Sequence, residues 1–311
     1  MRIIPSFLRI AGRTLVGLSY LVALVLALQD RVVGRDYFVD NRSGDDALDG
    51  LVIQPVGGNA GPVRSIARAL ERVQAGDTVH LAPGEPYYET LSLVGPRFGG
   101  LTLIPFTLEG HGAILSGARS LAPDVWEYDG NLWSVRPHRK AYYQLLLKDV
   151  PLPEVRVTDP KVRPDLKPGE WCGWKGTIYY HAKPGYAEEP RSLPMAFAYA
   201  EVGITFLDVR NVLIKDLTIR HYRLDGVNAH DRAREIILEN VQMLENGRAG
   251  CAAGGTSLIG LKDCVVQGNR ETQLINAEKA QTELLNTKLG PGGELFRLRG
   301  GHLLIDGVEA K

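Results

Sequence analysis

The sequence predicts an all-β fold, a parallel β-helix in which short strands stack coil upon coil. Apolar runs that end in Asp or Asn recur through the last third of the chain, with the turn residue at Asp216, Asn240, Asp263, Asn286 and Asp306. Each repeat consists of short alternating runs separated by Gly, Asn and Asp, which leaves no room for a helix of ordinary length. A period of 20 to 24 residues therefore indicates a solenoid, in which each unit buries its apolar face against its neighbours.

Side-chain alternation within the repeats predicts the core, because successive strand residues point to opposite faces. The predicted inward residues are all apolar: Val212, Ile214, Leu217 and Ile219; Ile236, Leu238, Val241 and Met243; Ile259, Leu261, Cys264 and Val266. They predict one continuous core column. On the outer face, Lys215, Glu239 and Lys262 occupy equivalent positions with alternating charge, and we expect them to form a ladder of surface ion pairs.

Charge and the N-terminal segment limit the partners of the protein. The 311 residues include 36 Lys and Arg and 36 Asp and Glu, which argues against nucleic acid or an anionic membrane surface as a partner. Basic residues precede an apolar run over residues 15–28, a pattern typical of an export signal and shorter than the roughly 20 residues of a membrane span. We therefore expect residues 1–30 to be a signal peptide or signal anchor. The expected protein is an exported monomer, periplasmic, extracellular or on the cell surface, that touches a membrane only through such an anchor.

The cysteines do not have the spacing of a metal site. Cys172, Cys251 and Cys264 lack the paired Cys-x-x-Cys pattern that zinc sites use. Cys264 falls on the predicted inward face and is interpreted as a small buried apolar residue. Cys251 begins a different strand, so the predicted register disfavours a disulfide between the two.

The region before the repeats predicts a strand, an acidic loop and a short helix. A strand begins at Tyr37 and is followed by turn residues. The aspartates of this loop lack calcium-ligand spacing, so we interpret them as turn residues; the sequence predicts no cofactor and gives calcium no support. A helix is then predicted from four apolar residues that share one face, Ile66, Ala69, Leu70 and Val73. Such a helix would cover the open end of the solenoid.

One stretch in this region carries a specific resemblance. AGDTVHLAPG, which contains residues 76–84, is followed by Tyr88 and Glu89. With the strand, acidic loop and helix before it, the segment 37–93 resembles the N-terminal entry of right-handed parallel β-helix proteins of the pectate-lyase-like superfamily. The resemblance implies a right-handed helix, export, and action on polysaccharide or binding to it.

A short motif after this segment invites a catalytic interpretation. Gly110-His111-Gly112 has the letters of a catalytic motif in the polygalacturonase branch of the superfamily. In that branch it follows an Asn-x-Asp and an Asp-Asp motif, and here neither precedes it in a repeat strand. We therefore interpret His111 as a turn residue.

The segment 122–200 interrupts the repeat and contains all four tryptophans. Its many prolines exclude a long helix, so we predict an inserted β-rich subdomain between the cap and first coils, 36–121, and the later coils, 201–311. Its rings could form a core of their own or contact sugar. We expect core for any single tryptophan and sugar contact for at least one ring, with Trp171 and Trp174 as the candidates.

The coil that follows the insert holds the densest group of polar side chains. The candidate catalytic residues are Asp225, His221, His230, Asp231 and Glu245, and the candidate substrate-binding residues are Arg220, Arg223, Trp171 and Trp174. Glycoside hydrolysis needs two carboxyls roughly 5 Å or 6.5–9.5 Å apart, which Asp225 could form with Asp231 or with Glu245. Lyase chemistry instead needs a base and cations around the uronate, roles open to His221 and the arginines.

Two functions follow from these patterns. The first is a hydrolase or lyase that acts on polysaccharide through the coil after the insert. The second is a non-catalytic protein that binds glycan or serves as a structural solenoid, an alternative favoured by the lack of any complete catalytic motif. Carboxyls within about 10 Å in an open groove favour the first function, and side chains paired with one another favour the second.

Overall fold

The computed structural model describes residues 34–138, 141–185 and 188–310, and it confirms the predicted parallel β-helix. Sixteen strands form one sheet whose members are almost all parallel. The predicted export signal lies outside the described residues. Within the described ranges, no helix has the length and apolar character to cross a membrane.

The strands stack in three columns, one for each side of a coil. The first column consists of β1 (Asp36–Val39), β2 (Thr78–Leu81), the first half of β4 (Phe106–Ser116), the first half of β14 (Arg210–Arg220), β16 (Arg234–Glu239), β19 (Leu258–Lys262), and the second halves of β21 (Thr272–Leu285) and β23 (Glu294–Ile305). The second consists of the later halves of β4 and β14, then β17 (Gln242–Leu244), β20 (Val265–Gln267) and β22 (Lys288–Leu289). The third consists of β3 (Leu91–Val94), β13 (Val202–Leu207), β15 (Asp225–His230), β18 (Ala249–Ala253), and the first halves of β21 and β23; β24 (Val308–Glu309) pairs antiparallel with the end of β23.

The predicted core column is confirmed. Every predicted inward residue is buried, and the register stacks Ile214 on Leu238 and Leu238 on Leu261. The predicted charge ladder is also present, since Lys262 Nζ lies 3.3 Å from Glu239. Lys215 departs from it slightly, because its ammonium contacts Glu109 of the preceding coil at 2.6 Å.

The corner between the first and second columns is made by residues in the left-handed conformation. The five predicted turn residues all have φ between 47° and 54°, a region that Asn and Asp tolerate better than most residues. Their side chains also bond from coil to coil, as in the 2.6 Å bond that Asn240 Nδ2 donates to Asp216. His111, with φ 51°, occupies the same corner in an earlier coil, which confirms it as a turn residue.

The next corner, between the second and third columns, holds a buried ladder of amides. The Asn246 carboxamide oxygen accepts from the Tyr222 backbone N–H at 3.0 Å, and Asn246 Nδ2 donates to Asn269 Oδ1 at 2.9 Å. Asn269 Nδ2 then donates to Gln273 Oε1 at 2.8 Å. Because these groups are fully buried, their mutual hydrogen bonds remove the cost of unpaired polar atoms and fix the coils in register.

The predicted capping helix is confirmed as α1 (Ile66–Arg72), whose buried residues face the first coils. Ser65 caps it by accepting from the Arg68 N–H. The Glu89 carboxylate accepts from the Ile66 and Ala67 N–H groups at 2.9 and 2.8 Å. The aspartates of the acidic loop accept backbone N–H groups, as expected for turn residues. Glu89, which follows the AGDTVHLAPG stretch, thus attaches the capping helix to the solenoid.

The insert is a β-rich unit with a core of its own. One antiparallel sheet contains β6 (Glu127–Tyr128), β7 (Trp133–Val135), β10 (Trp171–Trp174) and β11 (Thr177–Tyr180); the other contains β5 (Ala118–Ser120), β8 (Leu145–Leu147), β9 (Val150–Pro151) and β12 (Met195–Ala198). Two short 3₁₀ turns, Pro96–Phe98 and Pro123–Val125, complete the regular structure. Tryptophan, tyrosine and leucine side chains fill the insert's core.

The stacking register can be tested at neighbouring residues of β16. Leu238→Ala should lower the free energy of unfolding by about 2–5 kcal/mol, because Leu238 is fully buried in the core column. Ile237, the adjacent residue, is 39% exposed, so Ile237→Ala serves as the matched control and should cost less than about 1 kcal/mol. Urea unfolding followed by circular dichroism measures both. Equal losses in the two variants would contradict the register.

Candidate functional site

The coil after the insert places Asp225 at the start of β15, where it is fully buried. Its two carboxylate oxygens accept a fork of hydrogen bonds from the Arg248 guanidinium of the next coil, with Nε at 2.9 Å. Asn228 Nδ2 donates a further bond of 2.9 Å. Asp225 holds Arg248 in a bidentate pair, and this pairing raises the pKa of the Arg248 guanidinium. The structure thus places the candidate catalytic residue Asp225 in a buried ion pair.

His221 and Glu245 pair with each other across adjacent coils. His221 is fully buried in the left-handed conformation, and its Nε2–H donates to the Glu245 carboxylate at 2.9 Å. Both residues lie at the corner between the second and third columns. Among the described residues, His221 Nδ1 has no hydrogen-bond partner. Glu245 is thus bonded to the imidazole, and it does not share an open groove with Asp225.

His230 and Asp231 lie at the far end of the strand that Asp225 begins. β15 has six residues, so Asp225 and Asp231 are separated by more than about 15 Å at roughly 3.3 Å per residue. Both His230 and Asp231 are exposed. Asp225 and Asp231 therefore do not form the predicted carboxyl pair, because the extended strand β15 keeps its two ends apart.

The predicted substrate-binding arginines contact carboxylates instead. Arg220 donates to Asp149 of the insert at 2.8 Å, and Arg223 donates to Glu201 at 2.7 Å. Two coils on, Arg270 makes a bidentate pair with Glu154 of the insert at 2.7 and 2.6 Å. The bonds to Asp149 and Glu154 connect the insert to the corner of the β-helix. We call this set, Arg220–Asp149 and Arg270–Glu154, the insert seam.

The two tryptophans predicted to contact sugar occupy different environments. Trp171 is 2% exposed, lies in the core of the insert and donates its indole N–H to the Leu152 carbonyl. It presents no face to a sugar, so this prediction is corrected. Trp174 is half-buried; its indole donates to the Pro160 carbonyl, and the Lys175 ammonium lies 4.3 Å from its ring centre. Trp126 and Trp133 are buried as well.

An open cavity of about 470 Å³ lies on the surface of the insert, and sequence reasoning did not single it out. Its polar and aromatic lining is Tyr128, Asn131, Trp133, His181, Lys183, Glu189 and Arg191. Tyr128 is 54% exposed, with its ring centre 4.8 Å from that of Trp133. The Arg191 guanidinium lies over the Trp133 ring, 4.9 Å from its centroid.

Hydrogen bonds fix the polar groups of this cavity, which we call the insert cavity. His181 Nδ1–H donates to the Leu166 carbonyl at 2.7 Å, so in the neutral ring Nε2 is the acceptor. Arg191 donates to the Trp126 carbonyl at 2.6 Å while covering Trp133. An exposed tyrosine beside oriented donors and acceptors offers both a ring face and hydrogen bonds to a polar ligand. The concentration of aromatic residues in the insert was the sequence signal for this site. The pairing of β6 with β7 places Tyr128 on Trp133 at the surface, whereas Trp171 is buried in the core of the insert.

The three cysteines are buried and free, and the predicted register had disfavoured a disulfide between Cys251 and Cys264. Burial raises the pKa of the Cys172 and Cys264 thiols to about 11, and it raises that of Cys251 further. They are therefore protonated at neutral pH and are poor nucleophiles.

Comparison with known proteins supports the fold. The sequence matches no protein-family model and no curated protein. A solved glycoside hydrolase aligns with a TM-score of 0.56 and 12% identity over 80% of this chain and 72% of that one. The structure of XylC with xylose aligns with a TM-score of 0.49 and 13% identity over 85% of this chain and 64% of that one. A rhamnogalacturonan lyase aligns with a TM-score of 0.38 and 11% identity over 88% of this chain and 66% of that one. The chain thus spans less than two thirds of the length of XylC, and at 12% identity the glycoside hydrolase establishes a shared fold.

The buried Asp225 pair can be tested against an exposed aspartate at the other end of the strand. Asp225→Asn should lower the free energy of unfolding by roughly 3 kcal/mol, because it leaves the Arg248 guanidinium without its carboxylate. Asp231→Asn is the control and should change stability by less than about 0.5 kcal/mol. Urea unfolding measures both. An Asp225→Asn variant as stable as the parent would contradict the structural role.

The state of the thiols is tested by their reaction with a chromogenic disulfide reagent at pH 8. The folded protein should react slowly, because a raised pKa keeps the buried thiols protonated below about pH 11. Protein unfolded in guanidinium without reductant should release three equivalents, one for each free cysteine. A release of one equivalent would instead reveal a disulfide.

Proposed function

We propose that this chain, which has the parallel β-helix fold of the pectate-lyase-like proteins, binds polysaccharide in the insert cavity. The observation that carries the proposal is the exposed Tyr128 ring beside the polar groups of a cavity of about 470 Å³. Ligand pockets typically measure roughly 300–1,000 Å³, so one or two sugar units are of suitable size. The aromatic ring suits the apolar face of a sugar, and the surrounding side chains suit its hydroxyls.

The pairing of charges in the coil after the insert supports binding over catalysis there. Asp225 is bonded to Arg248, and Glu245 to His221. A general acid must be able to release its proton to the substrate, and a nucleophile must reach the sugar, so a fully buried carboxylate held by a guanidinium is suited to neither role. Of the two functions predicted from sequence, the described residues at this coil favour the non-catalytic one.

The charge of the insert cavity favours acidic glycans. The lining of the cavity contains two cationic side chains, Lys183 and Arg191, and one carboxylate, that of Glu189. Lys183 is exposed, which leaves its ammonium accessible to a uronate carboxylate. A bond between these exposed charges weakens as salt is added, because mobile ions screen it. We therefore expect uronic-acid polysaccharides to bind more tightly than neutral ones, with an affinity that falls at high salt.

The binding site is tested with a panel of uronic-acid and neutral polysaccharides in affinity electrophoresis and calorimetry. Tyr128→Ala should weaken binding about tenfold, since an aromatic anchor contributes more than about 1 kcal/mol. Tyr88→Ala is the matched control, because Tyr88 is 61% exposed and lies outside the cavity. Equal affinity of the parent and Tyr128→Ala would contradict the site. Release of new reducing or unsaturated ends by the parent protein would contradict the non-catalytic function.

A further inference from the structure

Three metal-binding side chains meet on the outer surface of the first column, in the coils next to the N-terminal cap. They are His80 of β2, Glu109 of β4 and His111 at the corner within β4, and one ligand atom of each lies within 4.8 Å of the others. Within the described part of the chain, no other three His, Cys, Asp or Glu side chains converge in this way. The insert cavity and the insert seam do not include these residues.

Stacking of the coils brings these residues together. His80 and Glu109 are direct partners in the parallel pairing of β2 with β4. His111 occupies the left-handed corner at which the later coils have Asp or Asn. Gly110 precedes it because a Cβ there would lie 2.4 Å from the Asp216 carbonyl oxygen. His111 is thus the one histidine at a corner where the later described coils have Asp or Asn.

Two of the distances between the ligand atoms are close to those of a tetrahedral coordination sphere, and all three atoms lie within 4.8 Å of one another. His80 Nδ1 lies 3.1 Å from His111 Nε2 and 3.6 Å from Glu109 Oε2. Ligand atoms bonded to zinc at about 2.0–2.1 Å in a tetrahedron lie about 3.3–3.4 Å from one another. Two imidazole nitrogens and one carboxylate oxygen form a common set of protein ligands for such an ion.

Neighbouring groups orient two of the three ligands. Asp36 Oδ1 lies 3.1 Å from His80 Nε2, so the Nε2–H donates to the carboxylate and the Nδ1 lone pair points toward the cluster. Lys215 Nζ contacts Glu109 Oε1 at 2.6 Å, which leaves Oε2 as the oxygen nearest His80. A carboxylate behind a histidine is the usual arrangement around a metal-bound imidazole.

The cluster is accessible from two sides. His80 and His111 line a cavity of about 400 Å³, and His111 also lines a neighbouring cavity of about 300 Å³. The His111 side chain is 44% exposed, against 21% for His80 and 18% for Glu109. An ion could therefore enter from solvent and keep a water molecule as its fourth ligand.

We propose that His80, Glu109 and His111 form a binding site for a divalent transition-metal ion of the zinc type. The two imidazoles disfavour calcium and magnesium, which prefer oxygen ligands. Asp36 acts as a positioning residue that fixes the tautomer of His80. The sequence predicted no cofactor, because these residues have neither the ligand spacing of paired cysteines nor that of a calcium loop.

The site is tested by calorimetric titration of the full chain with Zn²⁺ alone. The parent protein should bind one ion per chain, and His111→Asn should weaken binding at least tenfold while keeping a residue suited to the left-handed corner. His302→Gln is the matched control, because His302 also pairs with a carboxylate, Glu309 at 2.6 Å, but lies outside the cluster. Circular dichroism verifies that each variant is folded. No binding by the parent, or equal binding by His111→Asn, would overturn the proposal.

A second pair of variants separates a metal site from a purely structural contact. Asp36→Asn should lower the Zn²⁺ affinity about 10- to 100-fold without abolishing binding, the usual effect of losing the carboxylate behind a histidine ligand. His80→Gln should lower it further, because it removes a ligand atom. Ca²⁺ in excess should not displace Zn²⁺ from the parent. Displacement by Ca²⁺, or an unchanged affinity in both variants, would overturn the assignment.

Discussion

Register between stacked coils is the constraint on which the rest of the structure depends. Each coil buries its inward residues only against the coils above and below it, so a slip by one residue would expose the whole column. Two corner devices fix this register. Left-handed Asp and Asn residues such as Asp216 and Asn240 bond from coil to coil at one corner, and Asn246 and Asn269 form a buried amide ladder at the next. Because both corners repeat the same residue types from coil to coil, a residue of another type at such a corner, like His111, is a candidate for a further role.

In the coil after the insert, charged side chains make contacts with the insert and with the next coil. Arg220 bonds to Asp149 of the insert, and Asp225 holds Arg248 within the corner on which the insert rests. A group of charged residues at a corner of a β-helix can indicate catalysis, but such a group also forms where an inserted subdomain is bonded to the solenoid. Pairing and burial distinguish the two, and here Asp225 and Glu245 each have a basic partner, whereas Asp231 is exposed. We propose that glycan binds instead on the exposed side of the insert.

Local and periodic features could be predicted from the sequence, and long-range partners could not. Leu238 is predicted as core because its neighbours repeat with period two, and α1 because its apolar residues share one face. The partner of Asp225 could not be predicted, because Arg248 lies 23 residues away and no motif links them. His80 and His111 are 31 residues apart and meet only through stacking. Their one visible signal is a histidine at a corner that otherwise has Asp or Asn.

The central claim is that the protein binds glycan through the insert and uses the charged coil to hold that insert in place. Hydrogen-exchange mass spectrometry of the full chain, with and without a bound acidic oligosaccharide, tests it most directly. Peptides around Tyr128 and Lys183 should become protected when the glycan binds, because they line the insert cavity. Peptides around Asp225 should exchange slowly in both states, since this residue is already buried and paired. Protection that arises around Asp225 and leaves Tyr128 unchanged would contradict the account.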